Sequence, residues 1–175
     1  MVIAFDIETM GINAYRDKII LIGMKRGRKI TQWKLWKTND EVKMIQECLE
    51  ALEQIPSFEE TIVGYNNLKF DVPFITARLS VHGKMTPEIW DMLHNKKWFD
   101  LYQFLGNDYR KMNHWLRFFK IKRKYERLEG RQMPHCFNTK QYEKIEQHNK
   151  DDLITSEKLY LKLQNKFPDL LLPSS

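Results

Sequence analysis

Residues 2–5, Val-Ile-Ala-Phe, read as a short strand that runs straight into Asp6-Ile7-Glu8. On an extended backbone, side chains at i and i+2 leave the same face. Asp6 and Glu8 are therefore two carboxylates aimed one way, roughly 7 Å apart, at the end of a strand that belongs in a core. Burying both unaided costs about several kcal/mol each. The chain must fold so that this strand end meets either water or a compensating cation. Hard carboxylate oxygens suit Mg²⁺ or Mn²⁺ rather than zinc. Taken alone, the pair has a plainer explanation as a solvated strand end.

The surrounding pattern predicts an α/β domain with a mixed sheet. IILIGM, residues 19–24, suits a strand buried on both faces. KRGRK, centred on Gly27, reads as a hairpin turn, and ITQWKLW, residues 30–36, as the return strand. Thr38 and Glu41 have capping-box spacing for a helix whose apolar face is Val42, Ile45, Leu49 and Leu52, stopped by Pro56. TIVGY, residues 61–65, is a further strand, and a helix begins near Asp71, with Pro73 in its first turn and Gly83 past its end. Residues 84–135 carry little periodicity; short helices are expected around 100–105 and 113–120, then a long helix over about 139–165.

Two further stretches carry acids in telling places. GYNNLKFDVPFITAR, residues 64–78, leaves a strand and reaches Asp71 at a helix start, a position that delivers an acid into a cleft beside the sheet. A helix N-cap for Asp71 and a turn for Asn66 are the plainer readings. HNKDDLITSEKLY, residues 148–160, sets His148 and Asp152 at i and i+4 on one helix face, with Asp151 at i+3. Ile145 and Leu159 at compatible steps put that face beside the buried stripe, where an unpaired acid is costly.

FDIET, GYNNLKFD and HNKDD, in that order, resemble the three motifs of the DnaQ-like, or DEDD, 3′–5′ exonuclease superfamily. The likeness is closest to the proofreading domains of family B DNA polymerases and related stand-alone exonucleases. The second motif, GYN-x-x-x-FD-x-P, is especially similar, and KKWFDLYQF, residues 96–104, resembles a segment those domains carry before the third. The resemblance covers nearly the whole chain. It implies a single exonuclease domain over residues 1–175 with a ribonuclease-H-like fold, its mixed sheet flanked by helices and the first strand central.

The resemblance also implies residue roles. Asp6, Glu8, Asp71 and Asp152 would hold two Mg²⁺ or Mn²⁺ ions. Asp6 would bridge both, Glu8 and Asp152 would hold the ion carrying the attacking water, and Asp71 would support the second through water. Asn66 and Phe70 match positions that hold the 3′ end; Thr9 and Met10 stand where the terminal nucleotide pocket is lined. The superfamily's tyrosine subclass has Tyr four residues before the last Asp, and its histidine subclass has His five before. Here His148 stands at the tyrosine spacing. It takes the water-activating position, either as a base or as an orienting group; an imidazole pKa near 6.5 suits the former. Asp151 is expected to be dispensable.

Lys plus Arg number 29 against 23 Asp plus Glu, a net charge of +6 that permits a polyanionic partner. KIKRKYERLEGR, residues 120–131, is the densest basic stretch. Lys120, Lys122, Arg123, Lys124, Arg127 and Arg131 can line a strand's path, with Tyr125 and Trp115 stacking bases. Such contacts read no base sequence. The expected partner is nucleic acid with a free 3′ end, single-stranded DNA above RNA, with a polymerase or replication and repair protein acting in trans. The other readings are an inactive nucleic-acid-binding module and a structure-specific endonuclease. No secretory leader or membrane span is visible, and Cys48 and Cys136 read as buried free thiols. A reducing, cytoplasmic setting is expected.

Overall fold

The computed structural model describes residues 1–56, 60–106, 110–125 and 128–168. Strand β1 (Val2–Thr9) lies at the centre of a five-stranded sheet. On one side it pairs antiparallel with β2 (Ile19–Arg26), which pairs antiparallel with β3 (Lys29–Lys34). On the other it pairs parallel with β4 (Thr61–Gly64), and β4 with β5 (Trp98–Asp100). The order β3-β2-β1-β4-β5 makes the sheet mixed, as expected. Gly27 turns the β2–β3 hairpin at φ 58°, a left-handed geometry that suits glycine.

β1 runs farther than residues 2–5. Asp6 pairs with Gly23 and Glu8 with Leu21, so both acids lie within the strand, and a bulge between Glu8 and Thr9 ends the regular register. The other edge differs. β4 pairs only with Val2, Ile3 and Ala4 before the chain turns away after Gly64. The acid-bearing half of β1 is thus held by β2 and faces a loop on its β4 side.

Odd and even positions of β1 enter different cores. Ile3, Phe5 and Ile7 pack with Met44, Ile45 and Leu49 of α2 (Glu41–Glu53) and with Phe74, Ile75 and Leu79 of α3 (Asp71–Val81). Ala4 joins Val63 and the apolar residues Leu153, Leu159 and Leu163 of the long C-terminal helix. Helix α8 spans Tyr142–Lys166 and packs on β1, β2 and β4. Asp6 and Glu8 share the parity of Ala4 and so point toward α8. Each of these buried aliphatic or aromatic side chains is worth about 1.5–3 kcal/mol, and together they fix α8 over the strand.

Several local expectations shift. Leu35 and Trp36 do not extend the return strand; they open a one-turn helix, α1 (Leu35–Thr38), that ends at Asn39 with φ 54°. The cap of α2 is Asp40, whose carboxylate accepts from Lys43 N at 3.1 Å, while Thr38 Oγ1 accepts from Asp40 N. Val42 is only half-buried, and Glu41 is the buried residue at that end. Glu41 accepts from Ile19 N at 2.8 Å and from Arg78 Nε and Nη2 at 2.9 and 2.7 Å. That fork ties α3, and with it Asp71, to the sheet. The middle of the chain holds more structure than its pattern shows: α4 (Pro87–His94), β5, α5 (Leu101–Phe104), α6 (Met112–Phe118) and α7 (Met133–Asn138).

Candidate active site

The acid pair of β1 meets α8 and the start of α3 at one point. His148 Nε2 lies 3.3 Å from Asp152 Oδ2, one helical turn on, and 3.9 Å from Glu8 Oε1. One ligand atom each from Glu8, His148 and Asp152 falls within 4.8 Å of the others. Asp71 is the first residue of α3 rather than its N-cap, which is Phe70. Its carboxylate turns back to the sheet, where Oδ1 accepts from Ile7 N at 2.9 Å. β4 has left that edge, and Asp71 takes the backbone donor a strand otherwise occupies.

The electrostatics show that these acids share one site. Burial pushes the Asp6 carboxyl well above the usual carboxylate range, and Asp152 and Asp71 push it further. Burial does the same to Glu8, followed by Asp6, Asp152 and Asp71. Asp71 is pushed up to about 7, mainly by burial and then by Asp100 and Asp152, against the Ile7 N–H that favours its charge. Among the described residues, Glu8 Oε1 is buried without a hydrogen-bond partner. An orphaned carboxylate oxygen ringed by acids fits a hard divalent cation, which would supply the missing charge and partner.

The second acid of the third motif has its own task. Asp151 is buried; its Oδ1 accepts from Lys124 N at 2.8 Å and its Oδ2 pairs with Arg123 Nη1 at 3.1 Å. Arg123 also pairs with Asp152, and its Nε donates to Asn113 Oδ1 at 2.7 Å. Burial opposes the charge on Arg123, but Asp152 and Asp151 outweigh it and hold the guanidinium ionised. Asp100 does similar work on the opposite wall. Its buried carboxylate accepts from Asn66 N and Tyr102 N, both at 2.9 Å, and from Leu68 N at 3.1 Å. It thereby clamps the loop that leads into Asp71.

Two adjoining clefts open over the acids and share Asp6, Tyr65 and Gly130. The larger, about 350 Å³, is lined by Thr9, Asn66, Phe70 and Asp71 on the β1–α3 side. The smaller, about 170 Å³, is lined by Arg123, His148 and Asp152.

A family model described as RNase_H superfamily matches residues 3–164, a span that includes all three acidic motifs. The chain belongs to the RNase H superfamily. Among solved structures it is similar to the family B DNA polymerase from the hyperthermophilic archaeon Pyrobaculum calidifontis. That match has 18% identity and a TM-score of 0.74, and covers 95% of this chain but 24% of the polymerase. The expected ribonuclease-H-like fold and the likeness to family B polymerases are both met. No curated protein matches the sequence.

Within this RNase H superfamily fold, the carried-over residues fall into separate places. Asp6, Glu8, Asp71, Asp152 and His148 come together, and Thr9, Asn66 and Phe70 line the adjoining cleft. Met10 packs against the core and is not among the residues lining the clefts. Lys120, Lys122 and Lys124 are exposed, but Arg123 turns inward onto the acids instead of joining them on the surface. Arg131 lines the cleft mouth, and Arg127 lies outside the described residues. Asp100 and Arg123 are the residues the motif reading missed as site builders. Asp100 was visible in KKWFDLYQF; Arg123 looks like its neighbours until the fold sets it against Asp151. Among the described residues, no helix is long and apolar enough to cross a membrane.

Proposed function

We propose that this chain is a metal-dependent 3′–5′ exonuclease that releases nucleoside 5′-monophosphates from the 3′ end of DNA, single-stranded above duplex. The observation that carries the reading is the convergence of Asp6, Glu8, Asp71 and Asp152 with His148 around Glu8 Oε1, a buried oxygen with no hydrogen-bond partner among the described residues. Mg²⁺ or Mn²⁺ held by those four acids would supply positive charge to the scissile phosphate and lower the pKa of bound water.

The remaining work falls to side chains. His148 Nε2, within reach of Asp152 Oδ2, accepts or orients the proton of the attacking water. Water adds to phosphorus, and the bond to the 3′-oxygen of the preceding nucleotide breaks. Phe70 and the Asn66 loop hold the terminal nucleotide in the larger cleft, and Thr9 closes its floor. Lys120, Lys122 and Lys124 carry the backbone of the incoming strand. Phe118, 62% exposed, forms a shallow groove with Lys162 and Lys166, and extends that path along α8.

Polarity tests the proposal. An oligonucleotide blocked at its 3′ hydroxyl should resist digestion, and one blocked at its 5′ end should not. Efficient cutting of a closed single-stranded circle would favour an endonuclease instead.

A further inference from the structure

Asp6 on β1, Gly23 on β2 and Gln32 on β3 stand opposite one another in one row across the sheet. The middle position has no side chain, and α8 lowers Asn149 into that gap, where it is 0% exposed. Its amide spans the row. Nδ2 donates to the Asp6 carboxylate Oδ2 at 2.9 Å and to the Asp6 carbonyl at 3.3 Å. Oδ1 accepts from Gln32 Nε2 at 3.0 Å, and Gln32 Nε2 donates as well to the Glu146 carbonyl at 2.9 Å. Because Gln32 presents a donor, the Asn149 oxygen faces outward and its NH₂ group faces Asp6.

Gly23 is part of the same arrangement. A Cβ there would sit 2.0 Å from Asn149 Oδ1 and 2.9 Å from Nδ2. Its φ is not in the left-handed range, so glycine is required for space rather than for backbone freedom. A fully buried amide is an expensive way to pack a helix on a sheet, since an apolar side chain fills such a gap without needing partners. What the amide adds is direction. It pins one oxygen of a carboxylate that burial and neighbouring acids otherwise destabilise.

We infer that Gly23, Gln32 and Asn149 form a positioning device, with Asn149 the positioning residue, that holds the Asp6 carboxylate in the orientation that binds a divalent cation. The inference rests on the reading of Asp6 as a metal ligand. Hydrogen-bond partners behind a ligand typically change metal affinity or activity by about 10–100-fold when removed.

Mn²⁺ binding to the whole protein, without nucleic acid, followed by the loss of the free-ion paramagnetic resonance signal, tests it. Asn149→Leu keeps the shape and deletes the donor. Its Mn²⁺ affinity should fall about 10-fold or more while its melting temperature stays close to the parent's. Asn149→Ala should lose both affinity and stability. In the double variant Gly23→Ala/Asn149→Ala the added methyl refills the gap, so melting temperature should recover and affinity should not. Parental affinity in Asn149→Leu, or recovery of affinity in the double variant, makes Asn149 a packing residue and overturns the inference. If Asn149→Leu does not fold, the double variant decides alone. If the parent binds no Mn²⁺, or Asp6→Asn binds it as well as the parent, the metal reading itself fails and takes this inference with it.

Discussion

Replacing Asp71 by asparagine should make the metal-free protein more stable while it abolishes activity. Asp71 is buried, and Asn keeps its shape and the oxygen that accepts from Ile7 N. Only the charge is removed. The carboxyl titrates at about 7 in the fold against an ordinary 3.8. The folded state therefore binds the proton more tightly than the unfolded chain does. Asp71's contribution to stability is greatest below about pH 4, falls as pH rises toward about 7, and is then flat. At ~1.4 kcal/mol per pH unit that gap bounds the charged carboxylate's penalty at ~4 kcal/mol. Relaxation and water raise the effective dielectric, so about 2 kcal/mol is expected, or ~4–8 °C for a chain of this size. The assay is thermal unfolding in EDTA across pH. At pH 8 Asp71→Asn should melt above the parent, and near pH 4 the two should coincide. Added Mg²⁺ should lift the parent more than the variant, because only the parent keeps the full ligand set. A variant that melts below the parent at pH 8 in EDTA, or a difference that ignores pH, would refute the argument that these acids are held at a cost.

Other substitutions follow from the same geometry. His148→Ala should lower the cleavage rate by about 10²–10⁴-fold with Mn²⁺ binding nearly intact, and His148→Tyr should retain more activity than Ala; parental rates in both would make His148 a bystander. Asp151→Ala, expected from sequence to be mild in cleavage rate, should lower stability by about 2 kcal/mol, because Lys124 N and part of Arg123 lose a buried partner; chemical denaturation measures it. Changing Lys120, Lys122 and Lys124 together to Ala should reduce the slope of log affinity for single-stranded DNA against log salt by about 2, at roughly 0.7 per phosphate contact. An unchanged slope would remove them from the strand's path.

The acids were legible because their spacing is local. Asp6 and Glu8 at a period of two, and His148 and Asp152 at four, fix their faces whatever the rest of the chain does. What decides the remainder is tertiary. β1 outruns its apolar residues because β2 pairs with it from Ile3 through Thr9, and nothing in VIAFDIET announces that partner. Leu35 and Trp36 fit strand alternation and a helical turn equally well, and the left-handed Asn39 settles the matter. Thr38 and Asp40 both make acceptable caps two residues apart. The elements between residues 84 and 135 are mostly shorter than the windows that periodicity needs. Arg123 sits among like residues, and only the approach of α8 singles it out. Asn149 lies inside the third motif, but its purpose depends on Gly23 and Gln32, more than a hundred residues earlier, standing in one row with Asp6.

The most direct test is digestion of a 5′-labelled single-stranded DNA oligonucleotide with Mg²⁺ or Mn²⁺, followed as a ladder and by chromatography of the released products. A two-metal 3′–5′ exonuclease should give stepwise shortening from the 3′ end, nucleoside 5′-monophosphates as products, arrest in EDTA, and loss of the ladder by orders of magnitude in Asp6→Asn. Full activity in EDTA, a mononucleotide released at once from the labelled 5′ end, or an Asp6→Asn variant as active as the parent would contradict that reading.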